Sequence, residues 1–204
     1  MESAEDPNTN ELLKNLMQLN LFTSKMGKQS LNPVTKQSVQ AKRVGQWEEL
    51  LAVVDSGATV PVFHPKVGKE YELEESAASR DGVEYEVANG DTLPNLGQKA
   101  IAVLTQEGTI RGYQSQCADV SKALNSVRAM VNAKNAVCFG LGPTGEDHLI
   151  VNRVTGEVNR MEDDGINYLQ RLLIVPPDQI NAVQEKLAEM AGITEAQDFP
   201  GPGR

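Results

Sequence analysis

The 204-residue chain has few aromatic residues, few cysteines and few histidines. Phenylalanine, tyrosine and tryptophan make up 4% of the residues, so we expect a core built mainly from valine, leucine, isoleucine and alanine. The two cysteines, Cys117 and Cys138, are too few for a disulfide framework or a cysteine-based zinc site. The two histidines, His64 and His148, are far apart in the sequence and lack partners at ligand spacing, so no metal site is predicted.

An excess of positive charge is also missing. Lysine and arginine number 19 against 28 aspartate and glutamate residues, which gives a formal net charge of -9. This balance disfavours binding to duplex DNA, which requires basic residues that replace phosphate counterions. No apolar run reaches the roughly 18–20 residues of a membrane helix, and the N-terminus, MESAEDPNTN, is too acidic and polar for a signal peptide. We therefore expect an intracellular, cytoplasmic protein without a membrane partner.

Composition divides the chain into three parts. Residues 1–45 are predicted to hold a short amphipathic helix over 11–19 and then a flexible basic linker. The basic residues of the linker are dispersed, which favours a solvated tether over contact with RNA or a membrane. Residues 46–175 are predicted to form one β domain. Residues 176–204 carry a helix, with apolar residues at helical spacing from 180 to 190, and a loose tail.

The β domain is predicted from short apolar or alternating runs that turn residues separate. Asn89-Gly90 is the strongest hairpin signal, because both residues tolerate the positive φ of a type I′ turn. Ser121 is expected to cap a helix that carries apolar residues from Leu124 to Val131. The predicted strands cover residues 50–54, 84–88, 99–105, 109–116, 136–139, 149–152, 157–161 and 166–175.

One motif carries chemistry: Asp55-Ser56-Gly57-Ala58-Thr59 follows the apolar run LLAVV directly. This order predicts a strand that delivers one carboxylate into a tight, buried loop. Gly57 permits a close backbone approach and an unusual φ, the hydroxyl of Ser56 can brace the loop, and Ala58 leaves room beside the carboxylate. A plain turn between strands and an exposed phosphorylatable degron are the alternatives, and the apolar flanks favour burial.

The loop resembles the active-site loop of aspartic proteases, which reads apolar-apolar-Asp-Ser/Thr-Gly-Ala/Ser. Over about residues 47–173 the chain resembles the protease region of Copia-type retrotransposon Gag-Pol polyproteins, a branch of the retropepsin-like family. The motifs that carry this resemblance are DSGAT at 55–59, VANG at 87–90, NLG at 95–97, LNSV at 124–127, VCF at 137–139, IVNRVTG at 150–156 and GINYL at 165–169.

The resemblance implies a mainly β, retropepsin-like closed barrel, the acid protease fold, with one or two short helices and flanking helical or disordered segments. It implies an aspartic endopeptidase in which two carboxylates share a proton and activate water against a peptide carbonyl. Since the sequence holds no second Asp-Ser/Thr-Gly, the enzyme would be a homodimer with Asp55 of each subunit at the two-fold axis. Val87, Ala88, Asn89 and Gly90 are the candidate flap. The implied substrate is a peptide or polyprotein, and neither a cofactor nor a metal is expected.

The main alternative is a catalytically inactive domain of retroelement origin that acts only in binding or dimerisation. Retropepsins carry an apolar-apolar-Gly segment just before their helix. The segment that we assign to this place, ADVSK at 118–122, has no glycine, which favours the inactive alternative, whereas the intact loop at 55–58 favours the enzyme. A cysteine hydrolase built on Cys138 and His148 has no flanking motif to support it.

Overall fold

The structure is a computed structural model that describes residues 41–44, 47–86 and 90–191. These residues belong to the structural unit Ser38–Arg204. The helix predicted over 11–19, most of the predicted linker and the C-terminal tail lie outside the described residues.

The described residues form mainly β-structure with a few short helices. The helices are α1 (Ala77–Arg80), α2 (Val127–Asn132) and α3 (Ile180–Met190), and a 3-10 turn covers Pro177–Gln179. The strands are β1 (Ala41–Val44), β2 (Trp47–Asp55), β3 (Val62–Phe63), β4 (Glu84–Glu86), β5 (Thr92–Pro94), β6 (Gly97–Thr105), β7 (Ile110–Cys117), β8 (Ala123–Ser126), β9 (Asn135–Leu141), β10 (Asp147–Asn152), β11 (Val158–Arg160), β12 (Glu162–Asp163) and β13 (Tyr168–Ile174).

Six of these strands close a barrel. The main sheet has the order β1-β2-β8-β3-β7-β6-β13-β12, and β13 pairs with β2 as well as with β6. The second pairing of β13 joins the two ends of the series β2-β8-β3-β7-β6-β13. A separate sheet has the order β11-β10-β9, and β4 and β5 form a hairpin. The prediction of a mainly β chain with a closed barrel is therefore confirmed.

Alternation along the strands places an aliphatic core inside the barrel. In β2, Leu50, Ala52 and Val54 are buried, whereas the residues between them are half-buried, as expected for a strand with one face toward the interior. The core follows the composition, because its members are mostly aliphatic. They are Leu50, Ala52, Phe63, Val67, Ile101, Val103, Ala123, Leu172 and Ile174.

One boundary of the sheet differs from the predicted domain limits. β1 pairs with β2, with Ala41 opposite Leu50, so the sheet begins before residue 46. The sequence AKRV has little apolar character, and only its pairing identifies it as a strand. At the other end, helix α3 covers the predicted residues. Trp47 Nε1 donates a hydrogen bond of 2.7 Å to Gln179 Oε1, which ties the approach to α3 to the start of β2.

The helix predicted after Ser121 is partly wrong. Ala123–Ser126 forms strand β8, and the helix begins at Val127. Ser126 is the N-cap residue, and its Oγ accepts a hydrogen bond from the amide of Ala129. The apolar spacing from Leu124 onward fits a helix locally, but parallel pairing with β2 overrides that preference. The predicted strands are present with shifted ends, while α1 and the shortest strands were missed.

Arg171 stabilises the closure of the barrel on its outer face. Its Nε and Nη2 donate to the two carboxylate oxygens of Glu162 at 2.6 and 2.8 Å. Its Nη1 donates to Glu49 of β2, which lies beside β13. Burial by itself raises the pKa of Glu162. The hydrogen bonds and charge of Arg171 lower it by more than burial raises it, so the net shift is downward.

We expect this ion pair to make stability depend on acid. A carboxylate whose folded pKa is depressed stabilises the fold above its unfolded pKa, and the contribution is lost as the pH falls through the folded value. The free energy of unfolding, measured in urea, should therefore decrease as the pH is lowered past 4.5, the ordinary pKa of this side chain. Glu162→Gln should flatten the fall, whereas Glu84→Gln, at an exposed position, should leave it unchanged. Equal slopes for the wild type and Glu162→Gln would contradict this account.

Gly97, at the start of β6, offers a second test. Its φ is 128°, and an added Cβ would overlap the carbonyl oxygen of Glu74. Gly97→Ala should cost about 3 kcal/mol or more in the free energy of unfolding, from strain and overlap together. The control is Gly112→Ala, since Gly112 has no positive φ and its added Cβ meets nothing within 4 Å. Chemical denaturation measures the free energy of unfolding of both variants. If Gly112→Ala were as unstable as Gly97→Ala, strain and overlap at Gly97 would not be the cause.

Candidate active site

Asp55 is the last residue of β2 and follows the buried Val54 directly. β2 pairs in parallel with β8, which places Asp55 opposite Ser126. β13 runs antiparallel to β2, with Leu169 opposite Val53. The carboxylate therefore sits at the end of a strand that is paired on both sides, which fixes the backbone that carries it. The side chain itself is half-buried.

The loop after Asp55 turns back onto the carboxylate. The amide of Gly57 donates a hydrogen bond of 2.7 Å to Asp55 Oδ1. A Cβ at Gly57 would lie 3.3 Å from the same oxygen, a tight contact, so the predicted close approach at this glycine is present. The φ of Gly57 is not positive, so the unusual φ that the sequence predicted there is wrong. The loop is more open than predicted. Ala58 is half-buried, but Ser56, Gly57 and Thr59 are exposed, because the loop leaves the sheet at the end of the barrel.

The hydroxyl that braces the loop comes from Ser126 rather than Ser56. Ser126 Oγ donates to the carbonyl oxygen of Ala58 at 2.6 Å and accepts from the amide of Ala129 at 3.1 Å. Ser126 is fully buried. One side chain thus connects the loop to the start of helix α2. The sequence carried a signal for this residue, since serine is a preferred N-cap, but helical spacing pointed to Ser121 instead.

Half-buried apolar side chains flank the carboxylate on the outer face of β2. Leu51, Val53 and Asp55 alternate with the core residues and therefore share this face. Val53 lies opposite Leu124 of β8 and Leu169 of β13, and both are half-buried. The result is a row of apolar side chains across three strands beside Asp55. Such a row suits the apolar side chains of an extended peptide.

The hairpin β4–β5 stands next to the segment that follows the loop. Its Tyr85 and Leu93 pack against a buried cluster together with Val60. The side-chain Nδ2 of Asn95 donates to Tyr85 Oη at 2.7 Å and to Gln116 Oε1 at 2.8 Å. These bonds fix the base of the hairpin to β7. Burial raises the pKa of the Tyr85 phenol, so the hydroxyl stays protonated at ordinary pH.

The candidate flap, residues 87–90, falls between β4 and β5 in the sequence. β4 and β5 pair antiparallel with Glu86 opposite Thr92, which confirms the predicted hairpin. Residues 87–89 lie outside the described residues. Gly90 is exposed and has a φ of 87°, the left-handed conformation that the Asn-Gly signal predicted for it.

The segment beside Asp55 is β8, and the assignment of residues 118–122 to this place was wrong. Ala118 and Val120 are buried near the hairpin, and Asp119 contacts His64, with 3.1 Å between Oδ1 and Nε2. The missing glycine in ADVSK therefore says nothing about the loop. Sequence order alone could not decide which segment pairs with β2, because the pairing is made between distant parts of the chain.

The remaining candidates have structural explanations. Cys117 is fully buried, and burial raises the pKa of its thiol, which disfavours the nucleophilic thiolate. The ring of His148 lies against Tyr168 with centroids 4.5 Å apart, and its Nδ1 accepts a hydrogen bond from the amide of Gly140. Packing thus accounts for His148 without a hydrolytic partnership with Cys138.

Among the described residues no group of three or more His, Cys, Asp or Glu could hold a metal ion. None of the helices described is long and apolar enough to cross a membrane.

Comparisons with known proteins add no relative. No protein-family model, no curated protein and no solved structure matches the chain. The candidate site itself combines three features. They are a half-buried carboxylate, a backbone donor to one of its oxygens and an apolar face beside it.

Ser126→Ala tests the brace. The substitution removes both the helix cap and the bond to Ala58, so we expect a loss of about 2 kcal/mol in the free energy of unfolding. The matched control is Ser121→Ala at the exposed position that the sequence favoured as a cap, which should change stability by less than about 0.5 kcal/mol. Urea denaturation measures both variants. If Ser121→Ala proved the more damaging of the two, the assignment of the brace would be wrong.

Proposed function

We propose that the chain is an aspartic endopeptidase of retropepsin type, related to the protease of Copia-type retrotransposons, that acts as a homodimer. The observation that carries the proposal is the Asp55 loop. The carboxylate lies at the end of a strand that is paired on both edges, and it accepts a hydrogen bond from the backbone amide of Gly57. Ser126 donates a hydrogen bond to the loop that follows. The sequence resemblance of residues 55–59 to aspartic protease loops supports the same reading.

The chemistry needs two carboxylates, and each chain offers one such loop. Asp55 and its copy would share a proton, because two like charges this close do not both ionise. The ionised carboxylate removes a proton from water, the water oxygen attacks the carbonyl carbon, and the protonated carboxyl gives its proton to the carbonyl oxygen. The amine then leaves with a proton, and a free carboxyl group remains on the other product. The Gly57 amide holds one oxygen of each carboxylate throughout, and no cofactor or metal is required.

The surroundings of Asp55 favour an extended peptide or polyprotein as substrate. Val53, Leu124 and Leu169 present apolar side chains beside the carboxylate, so we expect apolar residues next to the cleaved bond. The β4–β5 hairpin stands beside the segment after the loop. The candidate flap at 87–90, between these two strands in the sequence, would close over the bound peptide.

Asp55→Asn is the direct test. Wild-type protein incubated with fluorogenic octapeptides of mixed sequence should cleave them best at acidic pH, and Asp55→Asn should slow cleavage at least about 100-fold. Thermal unfolding followed by circular dichroism should show that the variant still folds. Asp119→Asn is the matched control, because this exposed aspartate contacts His64 and is not part of the 55–59 loop, and its activity should match the wild type. Undiminished cleavage by Asp55→Asn would refute the proposal.

Mixtures of the two proteins test the dimer. If each site needs one Asp55 from each subunit, activity after subunit exchange should fall as the square of the wild-type fraction. A linear fall would mean that one chain makes the whole site. A wild-type protein that sediments as a dimer and cleaves no peptide would favour the inactive alternative, a domain that acts in binding or dimerisation only.

A further inference from the structure

A cavity lies outside the Asp55 loop. It has a volume of about 360 Å³ and is bounded by β7, helix α2 and the β9–β11 sheet. None of residues 55–59 lines it. Along β8, Leu124 shares the face of Asp55, whereas Asn125 points into the cavity, as alternation along a strand requires. Leu124 and Asn125 therefore face the two regions from opposite faces of β8.

One wall of this cavity is an unpaired strand edge. β6 covers one side of β7 along its length, but β3 pairs on the other side only with Gln116 and Cys117. The amide of Gln116 donates to the carbonyl oxygen of Pro61, so its backbone groups point away from β6. Because this direction alternates along an antiparallel strand, the N–H and C=O groups of Gly112 and Gln114 point the same way. Both residues are exposed and line the cavity, and no strand of the described part pairs with them there.

The other walls are rich in neutral amides. The lining includes six Asn or Gln side chains, and its charged member, Arg111, is paired with Glu157. Amides donate and accept hydrogen bonds as peptide groups do, so this lining suits a neutral polar ligand better than an ion. Asn159 also lines the cavity. It is 9% exposed, and its Oδ1 has no hydrogen-bond partner within the described residues, an unusual state for a buried oxygen.

We propose that this cavity binds an extended, uncharged peptide segment, which adds a strand to the edge of β7 at Gly112 and Gln114. Backbone donors and acceptors two residues apart match the repeat of an extended chain, and the side-chain amides opposite them would bind its remaining peptide groups. The inference does not depend on catalysis at Asp55. A protein without peptidase activity could still bind a peptide here.

The probe is a pool of acetylated, amidated pentapeptides built from valine, threonine, asparagine and glutamine. In spectra of the full ¹⁵N-labelled chain, the amide signals of Gly112 and Gln114 should shift with the pool at about millimolar concentration, and their hydrogen exchange should slow. Unchanged signals for both residues would overturn the proposal. Shifts confined to the Asp55 loop would overturn it as well, because the pool would then be binding at the other site.

Two variants of Gly112 separate the backbone donor from the space around it. Gly112→Pro removes the outward N–H and leaves the β6 ladder intact, and proline is tolerated at such edge positions. Gly112→Ala keeps the N–H, and its Cβ meets nothing within 4 Å. We expect Gly112→Pro to weaken binding at least about tenfold relative to Gly112→Ala, which corresponds to the loss of one hydrogen bond. Equal binding by the two variants would refute strand addition.

A change on the peptide side keeps the test decisive if Gly112→Pro does not fold. The same pool, N-methylated at alternate residues, loses half of its backbone donors. Its binding to the wild-type chain should weaken at least about tenfold. Unchanged affinity of the methylated pool would show that the ligand is not held through its backbone, and the proposal would fail.

Discussion

Pairing of β2 on both edges is the constraint on which the rest of the structure depends. β13 pairs with residues 48–53 and β8 with residues 52–55, and β1 covers the start of the strand. Backbone groups buried in a barrel must be hydrogen-bonded, so the central strand is stable only with neighbours on each side. The same pairing fixes the end of β2, and Asp55 is the residue at that end. The strand pairings that close the barrel therefore also position the carboxylate of Asp55.

The barrel interior is not uniformly apolar, and this has consequences beyond the core. The side-chain Nδ2 of Asn125 donates to Gln170 Oε1 at 2.7 Å and to Tyr113 Oη at 3.1 Å. Tyr113 Oη donates to Gln170 Oε1 at 2.8 Å. Burial raises the pKa of the Tyr113 phenol, which keeps this donor protonated. A bonded triad of this kind removes the cost of burying polar groups and fixes their rotamers. It also makes the part of the cavity wall that these three residues line polar. Strand β8 therefore borders two environments, an apolar face with Leu124 and a polar cavity with Asn125.

Much of the fold was predictable because alternation and turn residues act locally. The strands around Val53 and Ile101 and the hairpin before Asn95 follow from such patterns, and helix α3 follows from its spacing. The strand Ala123–Ser126 was not predictable, since its residues also fit a helix and only contact with β2 decides between the two. Of the candidate site, Asp55 and Gly57 were found from sequence. The bracing hydroxyl was assigned to Ser56, because no local pattern reveals that Ser126 lies beside the loop.

The sequence by itself determined the carboxylate, its small-residue loop, the aliphatic composition of the core and the net negative charge of the chain. These properties depend on residue type and short spacing. Only the tertiary structure decided which segment lies beside Asp55, where the loop is braced, and which edge of β7 lacks a partner. Each of those depends on contacts between segments far apart in the chain, where backbone hydrogen bonding and burial outweigh the weak local preferences of a few residues.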